Sequence, residues 1–409
     1  MSMSVAALRR NLGAVTLSPA EARERSVRRR VNAVWGLLYL DTLVFEPGSI
    51  LKIPSFAGKG ITQGALPLAI LVALTINPKI RVRPNVFLCL LSLLVLDTVI
   101  TAADPQHIGT VYRTFRLAEF VFALWLLTPW WGRSDMLLLR CHLRWILVAL
   151  GTVAVGLLVA PGHALAQDGR LAGVIWPMGP TQIAQYAAVA IGIIVLLWLA
   201  RLLSGRITLV GVVVITPILL LTHTRTALAA LAAGILVAGL SLFRVNARVR
   251  KFFATGAALV SIGVATAASV LTNWLARGEN AQGLTTLTGR TNFWALVLSQ
   301  PRTKFEVIFG FGLSNASVDG LPIDSNWFAS YMMEGLFGVI VCAMILVWLF
   351  TNSFFQPRGV QRALALFLIT YGTVSSFTEV GFTDVSTYLL NFAVAASLLV
   401  VPLTRRETT

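Results

Sequence analysis

Apolar runs recur along the whole of this 409-residue chain, at lengths that reach or nearly reach the roughly 20 residues a helix needs to cross a bilayer. They fall near 33–46, 62–76, 84–102, 111–131, 143–161, 180–200, 207–222, 226–243, 252–272, 326–350, 361–377 and 384–403. A water-soluble core could not absorb them: only 12% of residues are charged, 56% are hydrophobic, and the mean hydropathy is +0.79. The pattern predicts an all-α, polytopic membrane protein of twelve spans, the first run being the most marginal.

The basic residues set the expected orientation. The first thirty residues hold seven arginines and no apolar core of a signal peptide, so they predict a basic cytosolic tail over 1–30. With that end inside, the cytosolic loops carry Lys79, Arg81 and Arg83, then Arg133, Arg140 and Arg144, then Arg201 and Arg206. Arg244, Arg248, Arg250 and Lys251 follow, with Arg358 and Arg362, and Arg405 and Arg406 close the series. Together with the tail these are 23 of the 33 basic residues, against four acidic ones, which is the bias that orients membrane proteins. The net charge of +16 therefore reads as topology. Nucleic acid is not expected as a partner, because the arginines are split among short loops with no basic, aromatic-bearing soluble domain. Cys89, Cys141 and Cys342 show no CxxC spacing and are odd in number, so neither a disulfide framework nor a zinc site is expected.

Spans 1–9 then occupy 31–272, a long extracytoplasmic loop occupies 273–325, and spans 10–12 with a short cytosolic tail occupy 326–409. The unusual polar residues gather on the extracytoplasmic side. His223 and Arg225 interrupt the run "ILLLTHTRTALAALAAGIL"; an arginine at mid-bilayer costs about 2.5–3.5 kcal/mol, so Arg225 is expected at an interface or in a polar cavity. Glu379 and Asp384 lie in the turn "SSFTEVGFTD", and Arg113, Arg116 and Glu119 share one helical face, suited either to pairing among themselves or to an anionic ligand. Asp41 and Asp97 lie within apolar runs and could line a cavity. Trp130, Trp131 and Trp327 read as interfacial belt residues.

Four stretches, in order, resemble motifs of the bacterial O-antigen ligase and O-antigen polymerase superfamily of membrane glycosyltransferases. "RLAG" with a following proline (Arg170, Gly173, Pro180) looks like its R-x-x-G segment, and "LTHTRTALAAL" is similar to its T-x-S-R-x-A segment, with Arg225 as the arginine. "TGRTNFW", giving Arg290, resembles G-R-x-x-x-W and is followed by "GFG". "DSNWFASYMMEGLFG" resembles the H-N-x segment followed by G-x-x-G, with Gly335 and Gly338 in register and Asp324 where the ligases have a histidine. Polymerase-type relatives often have Asp or Asn there. The resemblance implies a GT-C-like fold, a polyprenyl-diphosphate-linked oligosaccharide donor, a glycan or lipid-linked acceptor, membrane lipids as surroundings, and a flippase and chain-length factor as partners.

The charges suit that chemistry. Arginine offers a permanently charged planar fork for the diphosphate leaving group, and preorganised cations supply catalysis without metal or other cofactor. Arg225 and Arg290 are the expected catalytic cations, and Asp324 is the expected proton acceptor, its alternative role being the N-cap of the helix that starts near Asn326. Arg170, His223, Arg116, Asn326 and Glu379 are the expected substrate-binding residues. The expected activity is polymerisation of a surface polysaccharide at the extracytoplasmic face of a bacterial inner membrane, both termini being cytosolic. Ligase-like transfer is the alternative, and transport of a lipid-linked glycan is the alternative from another class.

Overall fold

The computed structural model describes residues 18–43, 50–103, 110–166, 169–243, 246–258, 290–313, 317–318 and 321–401. Most of the ninth expected span (259–272) and the first part of the long loop (273–289) lie outside the described residues, as does most of the N-terminal tail.

The architecture is all-helical. In order come α1 (Pro19–Asp41), α2 (Ser55–Ile76), α3 (Val86–Ala102), α4 (Val111–Leu127), α5 (Leu137–Val159), α6 (Pro180–Leu199), α7 (Gly205–Leu221) and α8 (Arg225–Phe243). The described part of α9 covers 247–258. The long connection contributes α10 (Arg290–Ser299), α11 (Lys304–Phe309) and a hairpin of two-residue strands, β1 (Ser317–Val318) and β2 (Leu321–Pro322), paired antiparallel with Val318 opposite Leu321. The chain ends with α12 (Asn326–Phe355), α13 (Val360–Ser375) and α14 (Thr387–Leu399).

Five described helices, α2, α5, α6, α8 and α12, are long and apolar enough to cross a membrane, and α3, α7 and α14 are shorter apolar helices. Their packing explains why. All thirteen residues of α14 are buried, as is most of α6, so these helices are apolar all round because protein surrounds them. The helices outside them expose Leu71, Leu209, Val213 and Val347 at about 60% each, an apolar belt that water would not tolerate. The chain is a membrane-embedded protein. Close approach at the centre uses small residues: a side chain at Gly192 of α6 would overlap the Phe367 ring of α13, and Gly234 of α8 meets the same ring.

Two expectations need correction. The first helix starts at Pro19, well before the apolar run at 33, because Ser18 and Glu21 form a capping box and the arginine-rich stretch continues the helix. Trp131 is no belt residue: it is 2% exposed in the turn between α4 and α5, where its carbonyl accepts from Arg83 at 3.2 Å.

The helix ends collect in two layers. At one, Arg28 pairs with Asp135 at 2.8 Å, Gly132 N–H donates to Ser397 O at 3.0 Å, and Asn246 donates to Leu199 O at 2.5 Å. This is the arginine-rich end. The other layer holds the C-termini of α1, α3, α5 and α7 and the start of α8.

Candidate functional site

At that second, polar end the stretch "LTHTRT" makes a turn. The Thr222 hydroxyl donates to Leu219 O at 2.6 Å as α7 ends, His223 takes a left-handed conformation (φ 50°), and Arg225 opens α8. Arg225 is therefore at a helix end, which removes the mid-bilayer cost its position in the sequence threatened. Arg170 braces the turn, its Nε donating to Thr222 O at 3.0 Å and its Nη2 to Thr224 Oγ1 at 3.4 Å. Leu171 N–H adds a bond to Leu221 O at 2.9 Å.

From the turn the contacts lead on. Thr378 Oγ1 donates to Thr226 Oγ1 at 2.8 Å, tying α8 to the 376–386 loop. Asn326, fully buried at the first position of α12, holds that loop in turn: its N–H donates to Ser376 O at 2.9 Å, and its Oδ1 accepts from the N–H groups of Phe382 (2.8 Å) and Gly381 (3.2 Å). Trp327 Nε1 donates to Ser376 Oγ at 3.1 Å. The Trp294 ring stacks on Phe328 at 5.0 Å and 17°, setting α10 beside the start of α12.

The "GFG" stretch seats on a break in α12. Gly335 has φ 63° and ψ −158°, a region closed to other residues, so the helix ladder is interrupted there. Carbonyls freed by the break are taken by Phe311 N–H, donating to Met332 O at 2.9 Å, and Gly312 N–H, donating to Met333 O at 2.8 Å. Gly310 and Gly335 both lie so close to facing backbone that no Cβ fits at either. The 20 residues from Leu336 to Phe355 remain unbroken, about 30 Å of helix, so the break sits near the polar end of the bundle and not at its middle.

Charges cluster around this frame. Arg116 Nε is 3.1 Å from Asp41 Oδ1, with Asp41 fully buried, and Arg116 Nη2 also donates to the Asp41 carbonyl. Arg113 lies 3.6 Å from Asp384. The stripe on α4 is thus neutralised from α1 and the 376–386 loop, with neither arginine ion-paired to Glu119 among the described residues. A cavity of about 240 Å³ opens beside them, its lining including Thr42, Gln182, Gln185, Glu379, Asp384 and Thr387. Glu334 and Asp97, 0% and 1% exposed, stand next to the helix break, and no oxygen of either carboxylate has a hydrogen-bond partner among the described residues. The buried Thr383 hydroxyl lies beside Glu334 and is the nearest described donor to it.

The expected site residues divide accordingly. Arg170 braces the turn that holds His223 and Arg225; Asn326 and Glu379 meet at the 376–386 loop, Glu379 lining the cavity; Arg116 is held in its ion pair with Asp41. Asn326 spends its Oδ1 on the loop, so its visible work is structural. Asp324 is half-buried and lies one residue before Ser325, the N-cap of α12, whose own side chain makes no capping hydrogen bond. Arg290 is the first residue of α10. Glu334 is not among the residues expected from the sequence, although a lone carboxylate within "YMMEGLFG" is the kind of intramembrane charge that marks function. Among the described residues no cluster of His, Cys, Asp and Glu could hold a metal ion. Neither any protein family nor any curated protein matches the chain.

Proposed function

We propose that this protein is a twelve-span membrane glycosyltransferase that takes polyprenyl-diphosphate-linked glycans at the extracytoplasmic face of a bacterial inner membrane and polymerises them into a surface polysaccharide. The observation that carries the reading is convergence. The stretches containing Arg170, Arg225, Trp294, Gly310–Gly312 and Asn326–Gly335 are scattered over about 165 residues, yet hydrogen bonds and ring contacts stitch them together at the polar end. These are the stretches whose spacing resembles the O-antigen ligase and polymerase motifs.

In this reading the polar end faces away from the cytosol, since the opposite end carries the basic loops. Arg225, with Arg290 from α10, holds the diphosphate while its charge grows as the glycosidic bond to it breaks. Asp324 orients the acceptor hydroxyl and takes its proton. Asp at this position, in place of the ligase histidine, favours polymerisation over transfer to a separate acceptor.

One observation speaks for a transporter of the same lipid-linked glycan: a broken helix flanked by buried carboxylates also marks translocation paths. The position of the break weighs against it, because transporter sites lie near the bilayer midplane and about 30 Å of intact helix follows Gly335. The reading is tested with purified protein and a lipid-diphosphate oligosaccharide. Arg225→Ala and Arg290→Ala should each abolish product while leaving expression and membrane insertion intact, and Arg225→Lys should be impaired because a point charge cannot replace the fork. Full activity in both alanine variants would end the proposed mechanism.

A further inference from the structure

The arginine-rich end has a cavity of its own, unconnected with the reaction proposed above. It measures about 910 Å³ and lies between the start of α5, the end of α6 and the turn joining α12 to α13. Leu139, Leu143, Leu197, Leu203 and Val360 give it apolar walls, and Arg140, Arg358 and Arg362 stand in its lining. Among the described residues no Asp or Glu lines it.

The three guanidinium groups are not neutralised by a described acid. Among the described residues none of them is in an ion pair; Asp135, the acid whose charge Arg140 feels, is bound by Arg28 at 2.8 Å and Arg133 at 3.1 Å. Arg362 uses Nη1 on Gln356 O at 3.1 Å, its buried Nε has no hydrogen-bond partner among the described residues, and its guanidinium lies 5.8 Å from the Phe354 ring. Arg358 stands near enough for the two charges to repel. A second cavity of about 800 Å³, lined by Val237, Leu240, Phe350 and Phe354 among others, borders the same two arginines. Like charges held together without an acid, between apolar clefts at the end of a bilayer-spanning bundle, match a ligand with a negatively charged head and hydrocarbon tails.

We infer that this cavity binds an anionic phospholipid, its headgroup phosphate on Arg358 and Arg362 with Arg140 at the rim, and its acyl chains along the leucine wall. The site reads net negative charge as well as phosphate, so a zwitterionic lipid with the same chains binds less well. Because the arginines are at the surface of the bundle, salt weakens binding.

The test uses the full-length protein in neutral detergent, with lipid binding read by native mass spectrometry and by the shift in melting temperature. Phosphatidylglycerol should bind and raise the melting temperature of the wild type and of R206Q, a basic-loop control. It should bind about tenfold or more weakly to R358Q/R362Q. R358K/R362K, which keeps the charge and guards against a folding defect in the glutamine variant, should fall between the two. Equal binding of phosphatidylglycerol by wild type and R358Q/R362Q would overturn the proposal. So would phosphatidylcholine matching phosphatidylglycerol, or inorganic phosphate alone giving the full stabilisation.

Discussion

Asp41 and Glu334 are both fully buried carboxylates near the same end of the bundle, and they live in opposite circumstances. Asp41 is gripped by Arg116 through its side chain and its carbonyl. Among the described residues Glu334 has no ion pair, only the Thr383 hydroxyl stands beside it as a donor, and it immediately precedes the break in its own helix. A buried charge costs several kcal/mol unless it is paired, so the first arrangement is architecture. The second keeps a polar group where packing alone would prefer an apolar one, directly before the glycine-dependent break in its own helix.

The comparison can be broken by stability measurements on matched variants. Asp41→Ala strands Arg116 and should cost up to about 3 kcal/mol, the low end for a buried pair because Arg116 is one-fifth exposed. Glu334→Gln keeps the volume and removes no ion pair, so its melting free energy should stay within about 1 kcal/mol of wild type. Equal losses in the two variants, read from thermal unfolding in one detergent, would mean that Glu334 has a structural partner after all.

Asp324→Asn sharpens the contrast between chemistry and structure. Asn matches Asp in size and keeps a side-chain acceptor, so replacing Asp324 should leave stability within about 1 kcal/mol. Transfer activity should nevertheless fall by about a hundredfold, the low end for a lost general base. Near-wild-type turnover at matched folded-protein levels would remove Asp324 from the mechanism.

The smallest effect belongs to the opposite end. Burial tends to raise the pKa of Glu24, but hydrogen bonds from Arg28 and Arg133 outweigh it and hold the carboxyl below its ordinary value of 4.5. A depressed pKa contributes stability that is present above 4.5 and is lost as pH falls through the folded-state value. Glu24→Gln should therefore lower stability slightly at pH 7, with the difference shrinking on acidification below 4.5. A difference that grew on acidification would reverse the assigned sign.

Hydropathy made the helices legible, because each span needs a continuous apolar run whatever it packs against. Ten of the eleven other runs fall on described helices, eight of them within five residues at both ends, and the first helix begins earlier than its run because its capped basic extension is polar. Partners were harder to read. Asp41 reads from the sequence as a residue that could line a cavity, and nothing local says that Arg116, 75 residues away, will meet it. Arg113 and Arg116 looked suited to Glu119 by helical spacing, yet they turn to other elements, since tertiary packing decides which way a helix face points. The break at Gly335 was visible only as a glycine in an apolar stretch, because its φ of 63° depends on the "GFG" segment some twenty residues earlier filling the gap.

The central claim is group transfer at the polar end, and reconstitution tests it most directly. Purified protein in liposomes would be given a polyprenyl-diphosphate oligosaccharide, and the products would be resolved by size. The account predicts a ladder of lipid-linked glycans longer by whole repeat units, absent with Arg225→Ala. Unchanged oligosaccharide that has moved across the bilayer, with no longer product, would contradict it and identify a transporter instead.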